Sequence, residues 1–169
     1  MTEALLTLSK FIYLLSATIT IGQLLNIAFF TKNTNGRIKL ENKDLVSRAS
    51  TYAWIWFGSS IVFLIATLAS VLEVNFTQAL DITTLRSFVT QISLGKFLAI
   101  QALGALVIAI WIRATHKVNY VVLNLIVALA ALSAPIFQSH SASGGSHLVA
   151  IGTLLVHVLA LTMWVGGLL

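Results

Sequence analysis

The chain has 169 residues, 58% of them hydrophobic and 9% charged, with a mean hydropathy of +0.96. A soluble domain carries about 25% charged residues, so this composition excludes a soluble globular protein, and lipid is the expected solvent for most of the chain. The formal charge of +5 does not point to nucleic acid, because the cations gather in one loop and near predicted helix ends. Without cysteine there is no disulfide, thiolate metal site or redox thiol. With Met1 and Met163 as the only methionines, a thioether-rich copper site is excluded too. One proline and the lack of long alternating stretches disfavour a barrel, which leaves helices to satisfy the backbone in hydrocarbon.

A spanning helix needs about 20 apolar residues, and five segments are read as spans. The first covers 5–30; Glu3 precedes it, and it is too long for the apolar core of a signal peptide. The second covers 52–72 and opens on an aromatic belt of Tyr52, Trp54 and Trp56. Between spans two and three, Leu85, Phe88, Val89 and Ile92 repeat at helical spacing opposite Arg86, Ser87, Thr90 and Gln91. This predicts a short amphipathic helix, capped by Asp81 or Thr83, lying on the membrane surface or packed over the bundle mouth. The third span covers 97–112, extended by Leu94 and Gly95, and the fourth covers 118–137. The fifth begins near 148 and is still apolar at Leu169, so the chain is expected to be the front part of a longer protein. The expected fold is all-α: one domain over 1–169, a polytopic transmembrane bundle of five spanning helices plus a short interfacial helix.

The basic residues orient this stack. The 31–51 loop holds Lys32, Arg37, Lys39, Lys43 and Arg48, and the turn after span three holds Arg113 and Lys117. The 138–147 loop holds none. The positive-inside rule puts the two basic segments in the cytoplasm, with the N-terminus, the 73–96 stretch and the 138–147 loop outside.

Three of the four histidines fall near the end of the chain. His140 and His147 flank Ser-Ala-Ser-Gly-Gly-Ser, a run suited to a tight reversal. Such a loop is able to bring both imidazoles to one ion, and imidazole suits Cu(II), Zn and Ni; the bland alternative is two exposed histidines beside a turn. His157 lies ten residues after His147, about 15 Å deeper along a regular helix. One ion therefore cannot be held by both. An ionisable residue at that depth is a functional candidate, as an inner metal station, cofactor ligand or proton carrier, against a neutral histidine bonded to a neighbouring helix. Thr153 shares its face. Ser16, Thr20 and Gln23 form a polar stripe on span one, read as helix-joining. His116, between Arg113 and Lys117, is read as interfacial. No nucleotide loop, nucleophile with a base, or carboxylate pair is present, so no enzymatic activity is expected.

The run His157-Val-Leu-Ala-Leu-Thr-Met-Trp164-Val-Gly166-Gly167-Leu resembles a helix of the copper resistance protein D family. The preceding loop with His140 and His147 fits that pattern. The opening, from Leu8-Ser-Lys-Phe-Ile-Tyr13 through Ile21-Gly22-Gln-Leu-Leu, is similar to actinobacterial members in which this half precedes a cytochrome c oxidase assembly half. The resemblance implies a bacterial plasma-membrane protein for copper uptake or supply, often working with a periplasmic copper carrier or with oxidase assembly. It makes His140, His147 and His157 the candidate copper residues, and Trp164, Gly166 and Gly167 packing signatures. Two other readings stay open. One is a haem-binding electron-transfer module with His157 as an axial ligand, for which no second histidine lies at matching depth. The other is an oxidase-assembly scaffold acting by protein contacts alone.

Overall fold

The computed structural model describes residues 2–38, 43–114, 117–136 and 147–168. Six α-helices carry the described chain: α1 Thr2–Leu25, α2 Lys43–Val71, α3 Ile82–Gln91, α4 Ser93–Ala114, α5 Val118–Ser133 and α6 His147–Gly167. The all-α expectation holds. Three helices, Glu3–Phe30, Lys43–Val71 and Ser93–Ala114, are long and apolar enough to cross a membrane, while Val118–Ser133 and Gly152–Val165 are shorter apolar helices.

α1 ends in a wider π turn, Asn26–Phe30, closed by the Thr31 N–H on the Asn26 carbonyl at 3.0 Å. A two-stranded antiparallel hairpin follows, β1 Asn33–Thr34 and β2 Arg37–Ile38. Its turn residues, Asn35 and Gly36, have φ of 52° and 71°. Positive φ at both central positions is what a tight hairpin turn with the right twist demands, and Asn-Gly supplies it. The hairpin is stapled to the start of α5: Arg37 bridges to Lys117, and the Val118 N–H donates to the Gly36 carbonyl at 3.0 Å. The sequence pattern in this stretch reads only as loop, because two-residue strands carry no periodicity.

α2 begins at Lys43, well before the aromatic belt at Tyr52. Apolar content marks the part of a helix that suits hydrocarbon, not the helix itself. The first turns of α2 carry Lys43, Asp44 and Arg48, while Ala49, Ser50, Ala53 and Trp56 are buried against the bundle.

α3 is capped by Asp81, whose carboxylate accepts from the Thr84 N–H at 2.8 Å and the Thr84 hydroxyl at 2.7 Å. Its apolar face packs inward: Phe88 is buried in a cluster with Leu64, Leu68 and Leu98, and Leu85 and Val89 lean on it. Of the two sequence readings, packing over the bundle mouth describes this helix. The α3–α4 corner is tight enough that a Cβ on Gly95 would run into the Phe88 backbone.

α1 is the hub. It packs most extensively on α2 and also touches α5 and α6, while α4 bridges α2 and α5. The core joins Tyr13, Ala17 and Ile21 of α1 to Trp56, Ile108 and Val121 of the neighbouring helices. Small residues set the spacing. A Cβ on Gly104 of α4 would meet that of Ala131 on α5, the close approach that small residues allow between spanning helices. The outside of the bundle carries Phe11, Phe30, Trp54, Ile110 and Trp164, all exposed, which suits lipid as the surrounding medium.

Ser16, Thr20 and Gln23 are buried between helices as the stripe predicts. The hydroxyls of Ser16 and Thr20, however, donate to α1's own carbonyls, Ile12 at 2.7 Å and Ser16 at 2.8 Å. The helix-joining hydrogen bonds come from elsewhere. Gln101 Nε2 donates to Ser60 Oγ at 3.2 Å, Ser50 Oγ donates to the Ala109 carbonyl at 2.8 Å, and Arg113 Nε donates to Ser50 Oγ at 2.9 Å. All three tie α2 to α4.

Candidate functional site

Of the candidate metal residues, the described ones, His147 and His157, lie on α6, at its first residue and near its middle. α5 is followed by Ala134, Pro135 and Ile136; the segment with His140 lies outside the described residues, as does His116; α6 then opens at His147. His147 thus begins a helix that runs unbroken through His157 to Gly167. The regular rise of about 1.5 Å per residue therefore applies, and the expectation that His147 and His157 cannot share one ion stands.

α6 rests mainly on α1, with a smaller contact to α5, and its described side chains are covered along one side. Thr162 is buried and Val158 half-buried on that side. His157 is exposed on the opposite side, in a shallow open groove with Gly152, Thr153, Val156 and Ala160. The imidazole therefore faces away from the bundle, and the Thr153 neighbour expected on its face is there. Among the described residues no three of His, Cys, Asp and Glu gather closely enough to hold an ion.

Beside this end of α6 lies a cavity of about 670 Å³ walled by α1, α2, α4, α5 and α6. Ile136, the last described residue before the His140 segment, is part of its wall. The walls are mostly apolar. Among the described residues the polar groups come from Thr7, Lys10, Tyr13 and Thr67, with no imidazole, carboxylate or sulfur. Tyr13 is nearly buried and its ring meets Phe63 at 5.1 Å. A lysine and no ligand atoms make this a poor place for a metal cation. Sequence reading missed the cavity, because its walls are ordinary apolar residues from five separate segments.

Charge is divided between the two ends. Seven of the ten Lys and Arg residues, against two of the five acids, fall in the hairpin-end segments 31–51 and 113–117, which therefore carry the whole formal charge of +5. At the α3 end, Asp81 has its carboxyl held below the usual carboxylate range by the Thr84 backbone and side-chain hydrogen bonds. Inside the bundle, Gln23 Oε1, Trp56 Nε1, Gln101 Oε1 and Asn124 Oδ1 are buried without a hydrogen-bond partner among the described residues, the condition that internal water usually relieves.

Comparison with curated proteins and with solved structures gave no match. Comparison with protein families gave one, described as copper resistance protein D-like, N-terminal domain, over residues 1–148. The matched range takes in α1 to α5 and the segment with His140, reaches His147, and stops before His157 and the Trp164-Val-Gly-Gly run. With all but its last helix inside that match, the chain belongs to the copper resistance protein D-like family.

Proposed function

We propose that this protein handles copper in the bacterial plasma membrane as a multi-pass protein with its N-terminus outside. It captures the ion at His140 and His147 and passes it into or across the membrane. The family match over residues 1–148, a range that contains both histidines, carries the reading. The charge division supports the orientation, since Lys and Arg favour the cytoplasmic side. The histidine-bearing end then faces outward, where a periplasmic copper carrier delivers. An incomplete shell of two imidazoles suits transfer, because a closed site holds its ion too well to release it. His157 acts after capture: exposed on the outer face of α6, it meets copper, or a helix of an oxidase-assembly partner, on the side turned away from α1. The role is transport and supply, not catalysis.

The test is copper bound by the purified protein and copper delivered in cells. His140→Ala and His147→Ala should each lower bound copper several-fold, and the double variant should lose little more than either, because ligands of one ion are coupled. His157→Ala should leave capture intact and stop delivery. Independent, additive losses would show that His140 and His147 do not share an ion. Unchanged copper in the triple variant would remove the function.

A further inference from the structure

We propose that the cavity walled by α1, α2, α4, α5 and α6 is a binding site for a membrane amphiphile with an anionic head, gripped by Lys10. The volume of about 670 Å³ falls within the range of about 300–1,000 Å³ typical of small-molecule sites. Its lining is mostly apolar, from Phe63, Leu98 and Leu132 among others, so the part of the ligand that fills it is hydrocarbon. Lys10 is the only charged residue among the described residues of that lining, and no carboxylate among them answers it. Lys10 is exposed on α1 beside this apolar lining, so an anionic head at the rim would meet its charge while the hydrocarbon fills the interior. Thr7 stands one helical turn from Lys10 on α1, and its hydroxyl is placed to assist at the head. Tyr13 and Phe63 stand deeper along α1 and α2, where an acyl chain would run. Access is from the side: Leu14 lines the cavity and is itself exposed, next to the exposed Phe11 and Leu15, so the cavity continues into the surface that suits lipid. Among the described residues its lining holds none of the proposed copper ligands, and Lys10 repels their ion.

A carboxylate of a free fatty acid and a phosphate of a phospholipid offer Lys10 the same chemistry, and the experiment separates them. The full chain, purified and stripped of lipid, is titrated with oleate and separately with phosphatidylglycerol, and bound adducts are counted by native mass spectrometry. Saturable binding of one adduct is expected. Oleate alone assigns a fatty acid, and phosphatidylglycerol alone or both assign a phospholipid-type head. Lys10→Gln should weaken binding roughly ten-fold, the scale of a hydrogen bond to a charged group. Leu154→Trp, which fills the cavity from a half-buried wall position, should abolish the adduct while helical circular dichroism is kept. Binding of neither probe, or equal binding by the parent and both variants, would overturn the proposal and leave Lys10 as a side chain that merely reaches for water along apolar surface.

Discussion

The helices α1 to α5 and the helix α6 are built from nearly the same apolar alphabet but are held in opposite ways. In the first group, glycines and alanines bring helices into direct contact, and hydrogen bonds from Ser50, Gln101 and Arg113 lock α2 to α4. α6 has one packed side, mainly on α1, and its one described imidazole points the other way. Composition alone does not distinguish a structural helix from one that presents chemistry; the side on which the polar residue falls does. In the bundle the buried Ser50, Ser60 and Gln101 bind helix to helix. On α6 the polar group is left available.

That contrast is broken most severely through glycine. A Cβ on Gly95 would collide with the Phe88 backbone, and one on Gly104 with Ala131, whereas Gly152 of α6 has nothing within 4 Å. Gly95→Ala should be the most damaging, because backbone cannot yield as a side chain does. Gly104→Ala should cost about 1–3 kcal/mol, the usual range for overpacking. Gly152→Ala should be neutral or stabilising by up to about 1 kcal/mol, the propensity gain of Ala over Gly in a helix. Thermal unfolding of the three variants in one detergent gives the order. Equal losses at Gly104 and Gly152 would mean that α6 is packed on both sides.

Polar replacements sharpen the same contrast at smaller size. Ser50→Ala removes the acceptor of Arg113 Nε and the donor to the Ala109 carbonyl. Hydrogen bonds between spanning helices average about 0.6 kcal/mol with a maximum near 1.7, so a loss of roughly 1 kcal/mol is expected. His157→Leu should cost nothing in stability, since the imidazole is exposed and Leu is the better residue against hydrocarbon. Unfolding midpoints of the two variants compare them directly. A folded His157→Leu protein with normal copper delivery would reduce His157 to a surface residue, and a large loss of stability would place a packing partner on that face.

How much of this was legible in the sequence follows from what each feature depends on. Helices announce themselves through local composition and periodicity, so the all-α fold and the α3 helix could be read directly, while the cap narrows to Asp81 or Thr83 and the structure assigns it to Asp81. The first turns of α2 could not, because Lys43 to Arg48 are polar and a hydropathy reading stops at the membrane edge. The hairpin at Asn33–Ile38 was missed despite its Asn-Gly turn, because its strands are too short to alternate. The depth of His157 follows from counting along one helix. Its direction does not, because that depends on which side of α6 meets α1. The family likeness was read from the run between His157 and Leu168, the loop with His140 and His147, and the opening from Leu8 to Leu25; the range that matches the family, 1–148, takes in the last two and stops before the first. The cavity beside Lys10 was invisible for the same reason as the Ser60–Gln101 bond: both exist only between segments distant in sequence.

The smallest predicted effect concerns α3, which covers the bundle mouth and gives the comparison a third member. Its cap rests on one carboxylate, fully exposed, that accepts two hydrogen bonds from Thr84. Those bonds favour the ionised form, so the pKa is lower in the folded protein than in the unfolded chain. The sign follows from linkage: the stabilising contribution is present above the unfolded carboxyl value of about 3.9 and is lost as pH falls through the lower folded value. Acidification should therefore loosen the first turn of α3 while α6, which has no acidic residue, stays unchanged. Amide hydrogen exchange at successively lower pH, corrected for the intrinsic rate, reads both helices at once. Thr84 and its neighbours should lose protection selectively, and Asp81→Ala should show that reduced protection already at neutral pH with no further acid dependence. Acid loosening of α3 that persists in Asp81→Ala would mean that the cap is not what the proton removes.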